Sequence, residues 1–498
     1  MQSDLRKLAR GGGVMLVAQV LGSALLLALD VWTNGLLGNA GYGLFNNVKR
    51  VLQLGAFVVG LGMENAVIRY VATARSAEVA RAVTARALAA TVLAGLAGAG
   101  ALAALAGRYA AWVDPAPATV IALQIAAFAL PIGAVRLVTV SAAQGRGAVA
   151  PRAWILFVAW PIVQLAGVYV FVVRLDAGPV GAVIAWVSAM AFGAGLGAIA
   201  WRRVGRSDVP APSTGAVELA PDVRALLAYS WPMWVQGVVM GAYTWLDQLL
   251  LAGLRSVTEA GVYGPVNAIT PLLGLGLGAL NGPFAPLIAE KHAQGDRDGL
   301  ERLYRTVTRW AVALAVPPVA VCVAAPMAVL GVWPNGSPDA VPALWITCLT
   351  QLFCTAVGSV NYLLIMAGQP RAALWNGLIA LASATVASLL LVPPLGVTGA
   401  ALANAVAMCV ANGVAMAQVW AHLRIHPFDL GLGKVVLAGV PVAVITAALR
   451  ATDAPGWVVL VGAGTLGGVA FVASVLAMGI TEDDRRVLEA VRRRLGWA

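Results

Sequence analysis

Charged residues are scarce in this sequence. Only 11% of its 498 residues are charged, whereas a soluble domain carries roughly a quarter. Apolar runs such as Ala87–Gly107 and Val458–Met478 are uninterrupted, and the stretch 372–421 carries no charge. About 20 apolar residues cross a bilayer as a helix, and a helix pairs its backbone groups internally, as lipid requires. The composition excludes a soluble globular protein and predicts an all-α polytopic membrane protein.

Side chains suited to metal binding or catalysis are also few. The four cysteines lie in apolar stretches without a CxxC pair, and the three histidines lie in or near polar loops. These residues are Cys322, Cys348, Cys354, Cys409, His292, His422 and His426. The sequence contains no GxxxxGK[ST] nucleotide-binding loop, and its longest predicted loop, 202–224, is Pro/Ala-rich. We therefore expect no metal, no cofactor and no enzymatic activity.

Charged and Pro/Gly-rich breaks divide the chain into fourteen predicted membrane spans. They begin near residues 12, 44, 87, 118, 153, 178, 227, 262, 310, 341, 373, 396, 434 and 457. Of the 33 lysines and arginines, 26 fall in segments on one side, four on the other and three within spans. The positive-inside rule places the side with 26 in the cytoplasm, together with both termini. The net charge of +11 then faces anionic lipid headgroups, and no nucleic-acid partner is expected.

One phrase occurs twice in the chain. AGYGLFNNVKR (40–50) is echoed by AGVYGPVNAIT (260–270), and two Gln–Asp pairs have the same spacing of 11 residues. These pairs are Gln19 with Asp30 and Gln236 with Asp247. Because six predicted spans precede the linker and six matching spans follow it, the two copies keep the same orientation. We predict two six-helix lobes in parallel repeat that face each other across a central cavity.

This repeat predicts five segments. They are an N-terminal lobe (1–201), a cytoplasmic linker (202–224), a C-terminal lobe (225–425), two extra transmembrane helices (434–478) and a cytoplasmic tail (479–498). The tail places Val487, Leu488, Val491 and Leu495 on one side among arginines. It is therefore predicted either as an amphipathic helix on the inner leaflet or as a solvated extension.

The second predicted span carries a polar stripe. The i, i+4, i+7 rhythm aligns Asn46, Arg50, Gln53, Phe57, Gly60 and Glu64, with Lys49 on the flank. The matching stripe in the second lobe is uncharged and contains Asn267, Thr270, Gly274, Gly278 and Asn281. Because ionisable groups at membrane depth usually mark a pathway, we predict a cavity with cations on the first lobe, and Arg136 in the fourth span adds to them.

Other placements of these charges are open. Lys49 and Arg50 are close enough to the predicted outer surface for their side chains to extend to the lipid headgroups. The side chain of Arg136 could likewise extend to the headgroups at the inner face. Asp30 and Asp247 are predicted to be outer-end caps or partners of Lys49 and Arg50, and the alternative is that they are ion-coupling carboxylates. Glu64 is a further candidate for coupling or gating.

Several stretches resemble a known family. They are LLGNAGYGLFNNV (36–48), GLGMENAVIRYVA (60–72), SWPMWVQGVVMGAYTWLDQLLLAG (230–253), EAGVYG (259–264), FAPLIAEKHAQGDRDGLERLYRTVTRW (284–310) and residues 368–407. Over roughly residues 5 to 425 the chain resembles bacterial polysaccharide or lipid-linked oligosaccharide flippases. Their superfamily also holds multidrug-and-toxin extrusion exporters and peptidoglycan-precursor flippases. The charged NNVKR (46–50) departs from the family pattern, so the roles of Lys49 and Arg50 rest on physical arguments alone.

The resemblance implies alternating access in the bacterial plasma membrane, in which a polyprenyl-pyrophosphate-linked oligosaccharide moves from the inner to the outer leaflet. Membrane lipids are then partners, with a polysaccharide polymerase and glycosyltransferases as further candidates. On physical grounds, because arginines pair well with phosphate oxygens, Lys49, Arg50 and Arg136 would bind pyrophosphate, with Arg50 as the principal contact. Asn46, Gln53, Asn267 and Asn281 would contact sugar hydroxyls. The alternatives are a cation-coupled multidrug exporter of the same fold and a peptidoglycan-precursor flippase.

Overall fold

The computed structural model describes residues 2–204 and 220–479, and every element within them is helical. Most of the predicted linker and nearly all of the predicted tail lie outside these residues. The chain forms two compact units, Met1–Gly261 and Val262–Ala498, each of which is described by itself. The expectation of an all-helical membrane fold is confirmed.

Unit 1 contains nine helices and the start of a tenth in the part of the chain that the structure describes. They are α1 (Gln2–Gly60), α2 (Met63–Thr73), α3 (Ala77–Val113), α4 (Pro117–Ala127), α5 (Ala129–Gly145), α6 (Val149–Trp154), α7 (Trp160–Val168), α8 (Gly178–Val204), α9 (Val223–Leu254) and α10 (Val257–Leu273). Two π-helical segments, Ile155–Ala159 and Tyr169–Arg174, follow α6 and α7. α6, α7 and these two segments together form one candidate span, Pro151–Arg174.

Unit 2 contains the remaining helices. They are α11 (Leu275–Ala293), α12 (Arg297–Ala324), α13 (Pro326–Leu330), α14 (Val341–Val357), α15 (Val360–Met366), α16 (Pro370–Leu423), α17 (Leu430–Leu437), α18 (Gly439–Arg450), α19 (Gly456–Gly462) and α20 (Gly468–Ala477). A 3₁₀ turn at Pro338–Ala340 precedes α14, and a π-helical segment at Ala463–Gly467 joins α19 to α20.

Eleven helical stretches among the described residues are long and apolar enough to cross a membrane. The stretches Leu21–Gly60 and Arg371–Leu423 have 40 and 53 residues, and each far exceeds the roughly 20 residues that one crossing needs. Each contains one glycine with non-helical backbone, Gly38 and Gly396 respectively. These breaks fall between predicted spans 1 and 2 and between spans 11 and 12. The count of fourteen stays a prediction.

Small and apolar side chains pack the interior of unit 1. One core cluster joins α1, α4, α5 and α8 through residues such as Val48, Leu123 and Trp186. Close approach of α3 to α5 depends on Gly95, because a Cβ at this position would lie 2.8 Å from the Cα of Pro131. Small residues at helix crossings are typical of membrane proteins, where van der Waals contact drives association. This packing positions α1, α5, α8 and α9 around the candidate site.

Candidate functional site

Arg50 lies on the second half of α1 and contacts α9. Its Nε donates to Oε1 of Gln248 at 3.1 Å, and Nη1 donates to Oε1 of Gln53 at 3.1 Å. Its guanidinium carbon lies 3.7 Å from the centroid of the Trp245 ring. Planar stacking combined with two directed hydrogen bonds is a geometry that arginine provides and lysine does not. The guanidinium is therefore held by protein side chains, an arrangement that favours an interior position over the headgroup position.

The other charged candidates near Arg50 also contact protein groups. Lys49 Nζ lies 5.2 Å from the centroid of the Phe45 ring, one turn away on α1. Asp30 accepts a hydrogen bond of 2.6 Å from the Tyr42 hydroxyl. Asp247 is buried at 6% exposure and accepts from the backbone N–H of the next residue at 2.7 Å. Both carboxylates are thus supplied with hydrogen-bond donors from the protein.

The asparagines of the predicted stripes do not gather at one place in unit 1. Asn46 is only 2% exposed and lies in the helix packing. Asn267 and Asn281 belong to unit 2, on α10 and α11. Asn281 Oδ1 accepts a hydrogen bond from the Ser359 hydroxyl.

A cavity of about 360 Å³ lies within unit 1. It is bounded by α1, α2, α5, α7, α8 and α9, and its size falls in the range of small-molecule sites. Its polar and charged lining residues are Gln53, Glu64, Asn65 and Arg136. Its aromatic lining residues include Trp160, Trp186, Trp234 and Trp245. Arg50 borders this cavity through its contacts with Gln53 and Trp245.

Arg136 is the cation that lines the cavity directly. Its guanidinium carbon lies 5.2 Å from the centroid of the Trp160 ring, and its Nε is buried without a hydrogen-bond acceptor among the described residues. Glu64, also on the cavity wall, instead faces Arg152 at 4.0 Å. A buried donor without an acceptor costs about 1–3 kcal/mol. Arg136 is therefore equipped to bind an anionic or acceptor-rich ligand.

A break between α1 and α2 forms one rim of the cavity. Leu61 and Gly62 both adopt left-handed backbone, with φ of 51° and 64°, so the helix ladder is interrupted there. The carbonyls of Val58 and Leu61 accept hydrogen bonds of 2.9 Å from Trp234 Nε1 and Ser230 Oγ of α9. Side chains of α9 thus satisfy backbone groups that would otherwise cost free energy in an apolar environment.

Sequence reasoning missed the tryptophans of the cavity. Seven other tryptophans lie toward the ends of predicted spans and are predicted to be interface anchors: Trp32, Trp112, Trp201, Trp231, Trp310, Trp333 and Trp457. In contrast, Trp160, Trp186 and Trp245 come from three separate helices, and no local spacing connects them. The available signal was the mid-span position of Trp160 and Trp186, which interface anchoring does not explain.

Comparison with known sequences identifies the family. The family described as "Polysaccharide biosynthesis protein" matches residues 8–291, which is more than half of the chain. The chain belongs to this family. The resemblance inferred from the sequence is thereby confirmed. No curated protein matches the chain.

Solved structures share the fold of this family member. An inward-facing multidrug resistance MATE family transporter of the MOP superfamily superimposes with a TM-score of 0.67 at 17% identity, covering 82% of this chain and 98% of its own. The lipid II flippase MurJ in an inward closed conformation superimposes with a TM-score of 0.67 at 11% identity, and the match covers 93% of this chain and 97% of MurJ. A MOP superfamily transporter from Pyrococcus furiosus superimposes with a TM-score of 0.59 at 17% identity, and the match covers 84% of this chain and 95% of that transporter. At these low identities the superpositions establish a shared fold. The long apolar helices support a multi-pass membrane protein.

Proposed function

We propose that the protein flips a polyprenyl-pyrophosphate-linked oligosaccharide from the inner to the outer leaflet of the bacterial plasma membrane. Transport would proceed by alternating access and serve cell-surface polysaccharide biosynthesis. Arginine at the cavity is the observation that carries this proposal: Arg136 lines the cavity and has a donor without an acceptor among the described residues, and Arg50 borders it. Family membership supports the polysaccharide pathway.

The charge of the headgroup explains why arginines are needed. A pyrophosphate carries several negative charges and cannot enter hydrocarbon without compensating partners. Guanidinium groups bind phosphate oxygens through paired, charge-assisted hydrogen bonds. Arg136 has a donor to offer, whereas Arg50 already uses two of its donors on Gln53 and Gln248. We assign the main pyrophosphate contact to Arg136 together with Arg50, and Lys49 adds to the local positive charge.

Orientation follows from the arginine-rich segments. We propose that both termini lie in the cytoplasm, so that the cavity loads lipid substrate from the inner leaflet, where glycosyltransferases would supply it. A polysaccharide polymerase would use the product on the outer side. The Lys/Arg bias of 26 to 4 supports this orientation.

The rival transport functions predict different sites. A cation-coupled drug exporter needs a carboxylate available to a cationic drug. Glu64 is the one carboxylate among the described residues that line the cavity, and it faces Arg152. A peptidoglycan-precursor flippase would use the same pyrophosphate chemistry, and the family match favours another polysaccharide.

Complementation of a deletion strain tests the proposal. Wild-type protein should restore surface polysaccharide, whereas R50A and R136A should each reduce it at least about tenfold, the loss expected for one charge-assisted contact of 1.5–3 kcal/mol. R108A, which changes an exposed arginine of α3, is the matched control, and immunoblots of membranes check that all variants insert. Normal polysaccharide in a strain that carries the R50A/R136A double variant would refute the proposed role.

A further inference from the structure

Tryptophan rings form part of the cavity wall, and arginine side chains contact two of them. The rings of Trp160 and Trp186 lie 6.4 Å apart with a tilt of 55°. The guanidinium carbon of Arg136 lies 5.2 Å from the Trp160 ring, and that of Arg50 lies 3.7 Å from the Trp245 ring. Two separate arginine–tryptophan pairs therefore border one cavity. Such cation–π contacts are attractive and favour the placement of these rings beside the arginines.

Two of these indoles have donors that the protein leaves unused. The Nε1 atoms of Trp160 and Trp245 are buried and have no hydrogen-bond acceptor in the described ranges 2–204 and 220–479. A buried tryptophan usually finds a partner for its N–H, and an unmade bond costs about 1–3 kcal/mol. Arg136 Nε adds a third such donor. An occupant of the cavity is therefore expected to bring several acceptor oxygens to a surface of aromatic rings.

We propose that the tryptophan-walled cavity is the subsite for a sugar ring of the transported lipid. This inference rests on the proposed function, since it names where the carbohydrate binds. A pyranose ring has C–H faces that pack on indole rings and a rim of oxygens that accept from Trp160 and Trp245, while Arg136 binds the adjoining pyrophosphate. The amides of Gln53 and Asn65, also on the wall, match its hydroxyl groups.

Other occupants fit less well. A polyprenyl tail would pack on the rings but offers no acceptor to the three donors. A bare pyrophosphate would accept hydrogen bonds but has no apolar face for the tryptophans. A saccharide satisfies both requirements, and the volume of about 360 Å³ is typical of a site for a small ligand.

Binding to two probe lipids separates sugar recognition from headgroup recognition. The probes are undecaprenyl pyrophosphate and undecaprenyl-pyrophosphoryl-N-acetylglucosamine, titrated onto the purified full-length protein in nanodiscs. W160F and W245F keep an aromatic ring but remove the N–H. Each variant should bind the sugar-bearing lipid about 3- to 10-fold more weakly, as the loss of one hydrogen bond predicts. Because the phenylalanine ring keeps the cation–π contact with Arg136 or Arg50, binding of the sugarless lipid should stay within about twofold of wild type, which also shows that the variants fold.

The matched control is W457F, which changes a tryptophan at the start of α19 that is 70% exposed; it should bind both lipids like wild type. Equal affinity of the wild-type protein for the two lipids would overturn the sugar subsite. An equal loss for both lipids in W160F and W245F would overturn it as well, because the tryptophans would then act only on packing or on the headgroup. Failure of the wild-type protein to bind either lipid would instead reject the proposed function.

Discussion

At the scale of single residues, the site depends on how its arginines are held. Arg50 is fixed by Gln53, Gln248 and Trp245, while Arg136 stacks near Trp160 and keeps an unused donor. Lysine carries the same charge but lacks the planar fork that makes these contacts. Binding at this site therefore depends on the geometry of the cation as well as on its charge.

The Arg50→Lys variant tests this distinction. It loses the two hydrogen bonds and the ring contact that position the side chain, and it lacks the planar fork that pairs with phosphate oxygens. Its affinity for undecaprenyl pyrophosphate should therefore fall at least about tenfold despite unchanged net charge. Isothermal titration of the purified protein measures the affinity, with R108K as the control at an exposed position. Affinity equal to wild type would mean that charge alone matters at residue 50.

At the scale of elements, the start of α10 packs closely on α1 within unit 1. A Cβ at Gly43 would lie 1.8 Å from the carbonyl oxygen of Val257, and a Cβ at Gly261 would lie 1.9 Å from that of Asn39. Gly43 and Gly261 are 218 residues apart, as are Asn39 and Val257. The contact is thus reciprocal, with each glycine lying against a backbone carbonyl of the other helix. Glycine at both positions permits this close approach.

Alanine at either glycine tests this crossing. G43A and G261A force backbone to move, because no side-chain rotation removes a contact below 2 Å. Overpacking of this kind should lower the free energy of unfolding by roughly 1–3 kcal/mol, measured as thermal unfolding in detergent. G100A, within α3 and with nothing near its new Cβ, should be neutral or slightly stabilising. Unfolding of G43A and G261A at the wild-type temperature would contradict the close approach.

At the scale of the whole molecule, the sequence predicted the fold far better than the site. Scarce charge and long apolar runs suffice for membrane helices, and Gly38 and Gly396 break α1 and α16 near predicted span boundaries. The spacing of Arg50 and Gln53 put them on one stripe because i and i+3 positions adjoin on a helix. Their mutual hydrogen bond is visible in the structure.

Tertiary contacts decide which residues line the cavity, and the residue spacing in the sequence could not predict them. Asn46 shares the predicted stripe but is buried among packed helices, since the neighbours of a helix decide which part of a stripe meets a cavity. Trp160, Trp186 and Trp245 meet only because α7, α8 and α9 converge. Unused indole donors are likewise a property of the folded environment, and no periodicity encodes them.

Transport across a membrane by the purified protein is the most direct test of the account. Proteoliposomes would carry fluorescently labelled undecaprenyl-pyrophosphoryl-N-acetylglucosamine, and a membrane-impermeant quencher would report how much label moves between leaflets. We expect wild-type protein to accelerate this movement at least about tenfold over protein-free vesicles and over vesicles with the R50A/R136A variant. Movement at the protein-free rate, or equal movement with wild-type and R50A/R136A protein, would contradict the central claim that this cationic cavity carries the lipid headgroup.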